Sequence, residues 1–143
     1  MQGRAWIASS FAEARGFRYP LPMRVFAQTL DLKDDPAAID TYLCHHRAVW
    51  PEVIEGLRAI GIRNMRMYRG GTRLFMVVEA EDSFDPARDY QTYAANPRTR
   101  AWDALMRTFQ QPAPCARDGE WWASMDEIFD LSSTRSVSVG ETR

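Results

Sequence analysis

The chain has only two histidines, His45 and His46, and they are adjacent. An imidazole has an ordinary pKa of about 6.5, so it can give and take a proton near neutral pH, as acid–base catalysis requires. On a helix, Tyr42, His46 and Trp50 recur at four-residue steps and share one face. His45 is turned away from that face by about 100°. We therefore select His46 as the candidate acid–base group; a histidine satisfied by a hydrogen bond in the core is the competing interpretation.

Several aromatic side chains could accompany this imidazole, and they are Tyr42, Trp50, Trp102, Trp121 and Trp122. Aromatic residues at helical spacing usually pack in a core. An aromatic wall that also carries a hydroxyl and an imidazole nevertheless suits the apolar face of a sugar ring or of another small cyclic ligand. The pattern indicates a small-molecule site with Tyr42 and His46 as its polar members.

Other kinds of catalysis are disfavoured by the residues present. Lys33 is the single lysine and lies in an acidic turn, so lysine-based covalent chemistry is not expected. The sequence has no metal-ligand spacing and no phosphate-binding glycine loop, so we expect no metal and no cofactor. On a helix Cys44 points away from His46, which disfavours a thiol nucleophile paired with the imidazole.

Composition limits the partners and the compartment. The chain has 143 residues, with 18 Lys plus Arg against 19 Asp plus Glu and a net charge of -1, whereas nucleic-acid binding needs a clustered basic excess. Apolar runs reach about five residues, far short of the roughly 20 that a membrane span needs. Cys44 and Cys115 match no disulfide or zinc pattern. We expect a cytoplasmic protein that binds neither nucleic acid nor membranes.

The elements that must position these side chains follow from periodicity. Residues 24–30 alternate between apolar and polar, which is typical of a strand. A helix should begin at Pro36 behind an N-cap at Asp35, kink at Pro51 and end at Gly61. Residues 62–69 and 73–79 read as a hairpin, because the glycines between them allow a tight turn.

The second half of the chain predicts a helical segment around residues 87–95, a second helix that starts at Asn96-Pro97, and a loop over residues 110–119. A final segment, residues 121–131, could pair with the first strand. This order is that of a ferredoxin-like α+β domain, an antiparallel sheet with its helices on one face. Because the other face needs cover, we expect a homodimer that pairs sheet to sheet. We expect a disordered leader over residues 1–22, the domain over 23–131 and a flexible tail over 132–143.

The segment YLCHHRAVWPEV resembles the L-rhamnose mutarotase family, which places a Tyr, a His and a Trp-Pro-Glu at this spacing. The matching residues are Tyr42, His46, Trp50, Pro51 and Glu52. Further likeness runs through GIRNMRMY, LFMVVE, WDALM and MDEIFDL, and it covers residues 23–131. The resemblance implies a dimeric ferredoxin-like, α/β-barrel-like assembly that interconverts the α and β anomers of a 6-deoxy-hexose without a cofactor.

By the same resemblance, His46 is the catalytic proton donor, Tyr42 contacts the sugar and Trp102 lines the sugar site. Met65 and Asp103 depart from the family pattern, which has a Tyr and a second Trp at these positions. The chain therefore looks like a divergent branch, for which L-fucose is a candidate substrate beside L-rhamnose. Two other classes remain open: a cofactor-free oxygenase or lyase on the same dimeric fold, and a non-catalytic module that binds a small molecule.

Overall fold

The computed structural model describes residues 23–133, so the expectations for residues 1–22 and for residues 134–143 of the tail lie outside the described residues. Strand β1 spans Met23–Leu32, and helices α1 and α2 span Pro36–Arg47 and Pro51–Ala59. The hairpin consists of β2 at Ile62–Gly70 and β3 at Arg73–Glu81. Helices α3 and α4 span Pro86–Ala95 and Pro97–Arg107, and the short strands β4 and β5 are Gln110–Gln111 and Ala123–Met125.

The strands form one antiparallel sheet in which β3 lies between β1 and β2. β4 and β5 both pair with the remaining edge of β1. The helix pairs follow β1 and β3, as in the ferredoxin-like order. The predicted α+β class and strand order are therefore confirmed.

Three helices begin in the same way, with a short polar side chain followed by proline. The side chains of Asp35, Asp85 and Asn96 accept hydrogen bonds from the backbone N–H groups two residues later, at 3.0, 3.0 and 2.8 Å. A proline at the first helical position loses no helical hydrogen bond, and its fixed φ suits the helix. These local signals explain why the sequence predicted the helix starts at Pro36 and Pro97.

The helix that we expected to continue through Pro51 with a kink is instead broken into two. Helix α1 ends at Arg47, and Trp50 has the extended backbone that a residue before proline prefers, with φ -59° and ψ 137°. Pro51 then starts α2. The prediction of one kinked helix was wrong, and Trp50 does not continue the row of Tyr42 and His46.

The core lies on one face of the sheet. Alternate residues of β3, Leu74, Met76, Val78 and Ala80, are buried there against the helices. Their neighbours in the strand point to the opposite face, as the two-residue period of a strand requires. The helices therefore cover a single face, and a cavity between the two layers can be lined from both sides.

The segment after α4 differs from the expectation in two places. Gln110–Gln111, predicted as loop, pairs with Asp31 and Leu32 as β4. The predicted pairing of the last segment with the first strand is present but is confined to Ala123–Met125. Within residues 23–133 no helix combines the length and the apolar character that crossing a bilayer demands.

Candidate active site

A cavity of about 850 Å³ opens between the sheet and the helices. Polar and aromatic side chains from both layers line it, among them Tyr42, His46, Trp102, Asp103, Gln110 and Trp121. The three residues singled out from the sequence, Tyr42, His46 and Trp102, thus reach one cavity although they lie on two helices. Its volume is in the range of small-molecule sites.

His46 lies one helical turn after Tyr42 and is held by it. Its Nδ1 is 2.9 Å from the Tyr42 carbonyl oxygen. Because a carbonyl oxygen can only accept a hydrogen bond, Nδ1 must carry the proton, and in the neutral ring Nε2 is then the unprotonated nitrogen. Nε2 makes no hydrogen bond to a described residue, which leaves it available to a ligand.

The surroundings of His46 favour its neutral form. Burial lowers the pKa of the imidazole below its usual value, the hydrogen bond to the Tyr42 carbonyl opposes this shift, and the nearby His45 adds a smaller decrease. His46 is also stacked at a tilt on the Tyr42 ring, with the ring centroids 4.4 Å apart. The imidazole is therefore a fixed, neutral base near pH 7.

A chain of hydrogen bonds holds the Tyr42 hydroxyl. Gln110 donates from Nε2 to the Tyr42 oxygen at 3.1 Å, and Trp121 donates from Nε1 to Gln110 Oε1 at 2.9 Å. Tyr42 and Gln110 are only 2% and 5% exposed. Burial raises the pKa of Tyr42 to about 12, although the Gln110 hydrogen bond works in the opposite direction, so the phenol stays protonated at neutral pH.

Trp102 forms the aromatic wall beside the imidazole. It is 5% exposed, and its ring meets His46 edge to face with a centroid distance of 5.7 Å. Trp50 packs against Trp102 with a ring-centroid distance of 5.3 Å and is a partly buried neighbour of the core. The Arg98 guanidinium stacks over Trp50 at 4.1 Å and pairs with Glu52 at 3.7 Å. Trp50 and Glu52 therefore hold α2 to α4, and neither of them is among the residues that line the cavity.

The two departures from the family pattern, Met65 and Asp103, both line the cavity. Asp103 follows Trp102 on α4 and is half-buried. Burial raises the pKa of its carboxyl to about 6, opposed in part by Arg107. Burial and, second, the charge of Asp103 also raise the pKa of Tyr90 and of Tyr93. The cavity thus contains a carboxyl group whose pKa lies near that of an imidazole, on a different helix from His46.

The sequence did not point to Gln110, which was assigned to a loop. Trp121 was included among the aromatic residues that could accompany the imidazole, without a hydrogen-bonding role. Gln110 lies 68 residues after Tyr42, and no local pattern marks a glutamine as a buried hydrogen-bond partner. Within residues 23–133 no three His, Cys, Asp or Glu side chains are grouped so that they could hold a metal ion.

The fold and cavity define a small α+β protein with a cavity of small-molecule size between its sheet and its helices. The family model for L-rhamnose mutarotase matches residues 25–131. A protein from Xanthomonas campestris named L-fucose mutarotase is 39% identical over 122 residues, which cover 84% of this chain and 98% of that protein. The chain therefore belongs to the L-rhamnose mutarotase family, whose mutarotases are carbohydrate isomerases.

Two further proteins are similar to this chain. A UPF0734 protein of Dictyostelium discoideum is 46% identical over 110 residues, covering 74% of this chain and 88% of that protein. A crystal structure of an L-rhamnose mutarotase from Formosa agariphila superposes with a TM-score of 0.56 at 20% identity, covering 76% of this chain and 98% of that one. At that identity the superposition shows the shared fold alone.

Proposed function

We propose that this protein interconverts the α and β anomers of a free 6-deoxy-hexose, with His46 as the acid–base group. The observation that carries the proposal is the geometry of His46. Its Nδ1 is 2.9 Å from the Tyr42 carbonyl oxygen, and its Nε2 makes no hydrogen bond to a described residue in a cavity that Tyr42 and Trp102 also line. A neutral nitrogen in that position can remove a proton from a sugar hydroxyl.

The reaction needs only proton transfers. Nε2 of His46 takes the proton of the anomeric hydroxyl while the bond between the anomeric carbon and the ring oxygen breaks, and the resulting imidazolium passes that proton to the ring oxygen. The open aldehyde rotates about its bond to the next carbon and closes on the other face. The reverse transfers then return His46 to its neutral form. One imidazole with a pKa near or below neutrality serves both directions.

The other residues that line the cavity suit the polar and apolar sides of a deoxy sugar. Trp102 offers an aromatic surface to the apolar face of the ring, and Tyr42 offers a hydroxyl to its oxygen atoms. The sheet side contributes Met65, Met67 and Met76, whose flexible apolar side chains suit a methyl group at the sixth carbon. Because the relative named L-fucose mutarotase is 39% identical, L-fucose is the first sugar to test and L-rhamnose the second.

We also propose that the functional unit is a homodimer. Val25, Tyr68 and Met125 are exposed on the sheet face away from the helices, at 59, 53 and 45%. Beyond β5, Ile128 and Phe129 are 97% and 69% exposed. Apolar side chains that stand together on one sheet face and on an adjoining extended segment are typical of an interface between copies of a chain.

A reducing compartment is consistent with the cysteines. Cys44 and Cys115 are both free and exposed, and secreted proteins of this size usually pair their cysteines. We propose that the protein acts in the cytoplasm, where thiols remain reduced and free monosaccharides are metabolised. Fractionation of the source cells tests this location.

The proposed activity is tested by saturation-transfer proton NMR on equilibrated L-fucose, L-rhamnose and D-glucose, with and without the protein. Saturating one anomeric signal should reduce the other only where exchange is fast. We expect the protein to accelerate exchange of a 6-deoxy sugar and to act weakly on D-glucose. Binding without acceleration would support the non-catalytic alternative, and oxygen consumption or release of a new product would support the oxygenase or lyase alternative.

A further inference from the structure

The Tyr42 hydroxyl is buried at the end of a hydrogen-bond chain whose direction follows from chemistry. The chain runs from Trp121 Nε1 to Gln110 Oε1 at 2.9 Å and from Gln110 Nε2 to the Tyr42 oxygen at 3.1 Å. Gln110 is buried and belongs to β4, which is paired with β1. All three side chains line the cavity.

The indole of Trp121 decides which way the Gln110 amide is turned. An indole N–H is a donor and has no lone pair in the ring plane, so the atom that meets it must be the amide oxygen. The opposite end of the amide, Nε2, is then directed at Tyr42. The orientation of a glutamine amide is set by its hydrogen-bond partners, and here the indole permits only one of the two orientations.

The orientation of the Gln110 amide in turn determines the direction of the Tyr42 O–H bond. The amide Nε2 has only donor hydrogens, so the phenol oxygen must accept from it. The phenol hydrogen is thereby excluded from the Gln110 direction and is free to point into the cavity. Since the raised pKa keeps this hydrogen in place at neutral pH, Tyr42 meets a ligand as a donor.

We infer that Gln110 and Trp121 are positioning residues that hold the Tyr42 hydroxyl as a hydrogen-bond donor to the ring oxygen of the sugar. The inference rests on the proposed mutarotation. Negative charge develops on the ring oxygen as the ring opens, and a donor that is already oriented stabilises it without reorganisation. His46 and Tyr42 then have complementary roles, because Nε2 accepts at the anomeric hydroxyl and the phenol donates at the ring oxygen.

The substitution Gln110→Glu reverses the direction of the hydrogen bond between residue 110 and Tyr42, with almost no change in the shape of the side chain. A carboxylate accepts from both Trp121 and Tyr42, so the phenol hydrogen turns away from the cavity. At pH 8 we expect kcat for L-fucose to fall about hundredfold to thousandfold, the scale for losing one oriented donor, with a smaller change in KM. Gln111→Glu, the same change on the exposed neighbouring residue, is the matched control and should retain the wild-type kcat.

A double-mutant cycle separates positioning from mere structural support. If Gln110 acts through the phenol, adding Gln110→Glu to Tyr42→Phe should cost nothing further in kcat. Multiplicative losses, or a Gln110→Glu protein with wild-type kcat beside an impaired Tyr42→Phe protein, would overturn the inference. Should Gln110→Glu fail to fold, Trp121→Phe serves instead, since it frees the amide to turn and should also lower kcat only when Tyr42 is present.

The orientation of the amide can also be measured without catalysis. In the wild-type protein, nuclear Overhauser contacts should link the Gln110 amide protons to the Tyr42 ring rather than to the Trp121 indole proton. The opposite pattern would refute the inference even in an active enzyme. If the contacts are as expected but no sugar shows accelerated exchange, the proposed mutarotation fails, and with it the role at the ring oxygen, while the orientation stands.

Discussion

The two sides of the cavity differ in how firmly their polar groups are held. On the α1 side, His46 is bound to the Tyr42 carbonyl, and the Tyr42 hydroxyl is bound to Gln110. On the α4 side, the carboxyl of Asp103 accepts no hydrogen bond from a described residue and has only the charge of Arg107 to offset its burial. One side presents groups with a fixed direction, and the other presents a carboxyl that a ligand can still satisfy.

Proton transfer and discrimination among sugars place different demands on the two sides of the site. Proton transfer requires atoms that stay in place, because a small displacement of a catalytic group costs much of the rate. Discrimination among sugars requires buried polar groups that only the correct hydroxyl pattern satisfies. The family pattern is kept at Tyr42 and His46 on the ordered side and at Trp102 on α4, and it is lost at Asp103 on α4 and at Met65 on β2. Under the proposed function, these two departures are the positions at which the choice of sugar would differ.

The largest expected effect comes from removing the imidazole on the ordered side. His46→Gln should lower kcat for anomer exchange by a factor on the order of 10² to 10⁴, the usual contribution of one general acid–base group. His45→Gln is the matched control, because His45 is adjacent but does not line the cavity. Polarimetric rates at equal protein concentration give the comparison. Equal losses in the two variants would remove the distinction between His46 and its neighbour.

A smaller effect is expected from replacing Asp103 on the α4 side, and the quantity that changes is the free energy of unfolding. Because burial raises the pKa of Asp103 to about 6, the native state binds more protons than the unfolded state between about pH 4 and 6, and the free energy of unfolding falls as the pH rises through that window. Asp103→Asn removes this penalty and should stabilise the protein at pH 8 by about 1 kcal/mol after solvent screening.

Urea unfolding at pH 8 and at pH 4 measures this difference. The gain from Asp103→Asn should shrink at pH 4, where the wild-type carboxyl is protonated in the native state and about half protonated in the unfolded state. Asp40→Asn, at an exposed position on α1, serves as the control and should give little change at either pH. A destabilised Asp103→Asn protein at pH 8 would mean that the carboxylate is firmly bound, and the contrast between the two sides would be lost.

The sequence was sufficient for the parts of the fold that local signals determine. Asp35 before Pro36 and Asn96 before Pro97 identified two helix starts, because capping and proline act within a few residues. The glycine turn after β2 identified the hairpin. In contrast, the two-residue strand β4 has no periodicity of its own and exists through its pairing with Asp31 and Leu32.

The site was predictable to a similar degree. Helical spacing placed Tyr42 and His46 on one face, and the structure brings Trp102 to them. The same spacing wrongly extended the row to Trp50, since the restriction that Pro51 imposes on the preceding residue ends the helix first. Gln110 could not be found, because its role depends on a contact with Tyr42 across 68 residues.

The proposed reaction depends on His46 presenting an unprotonated Nε2 to the cavity at neutral pH. Since the chain has only two histidines, long-range proton–nitrogen NMR correlations can resolve both rings, with the His45→Gln protein providing the assignment. We expect His46 at pH 7.5 to carry its proton on Nδ1 and to become an imidazolium only below its usual pKa. A ring protonated on Nε2 at that pH, or an imidazolium, would contradict the account.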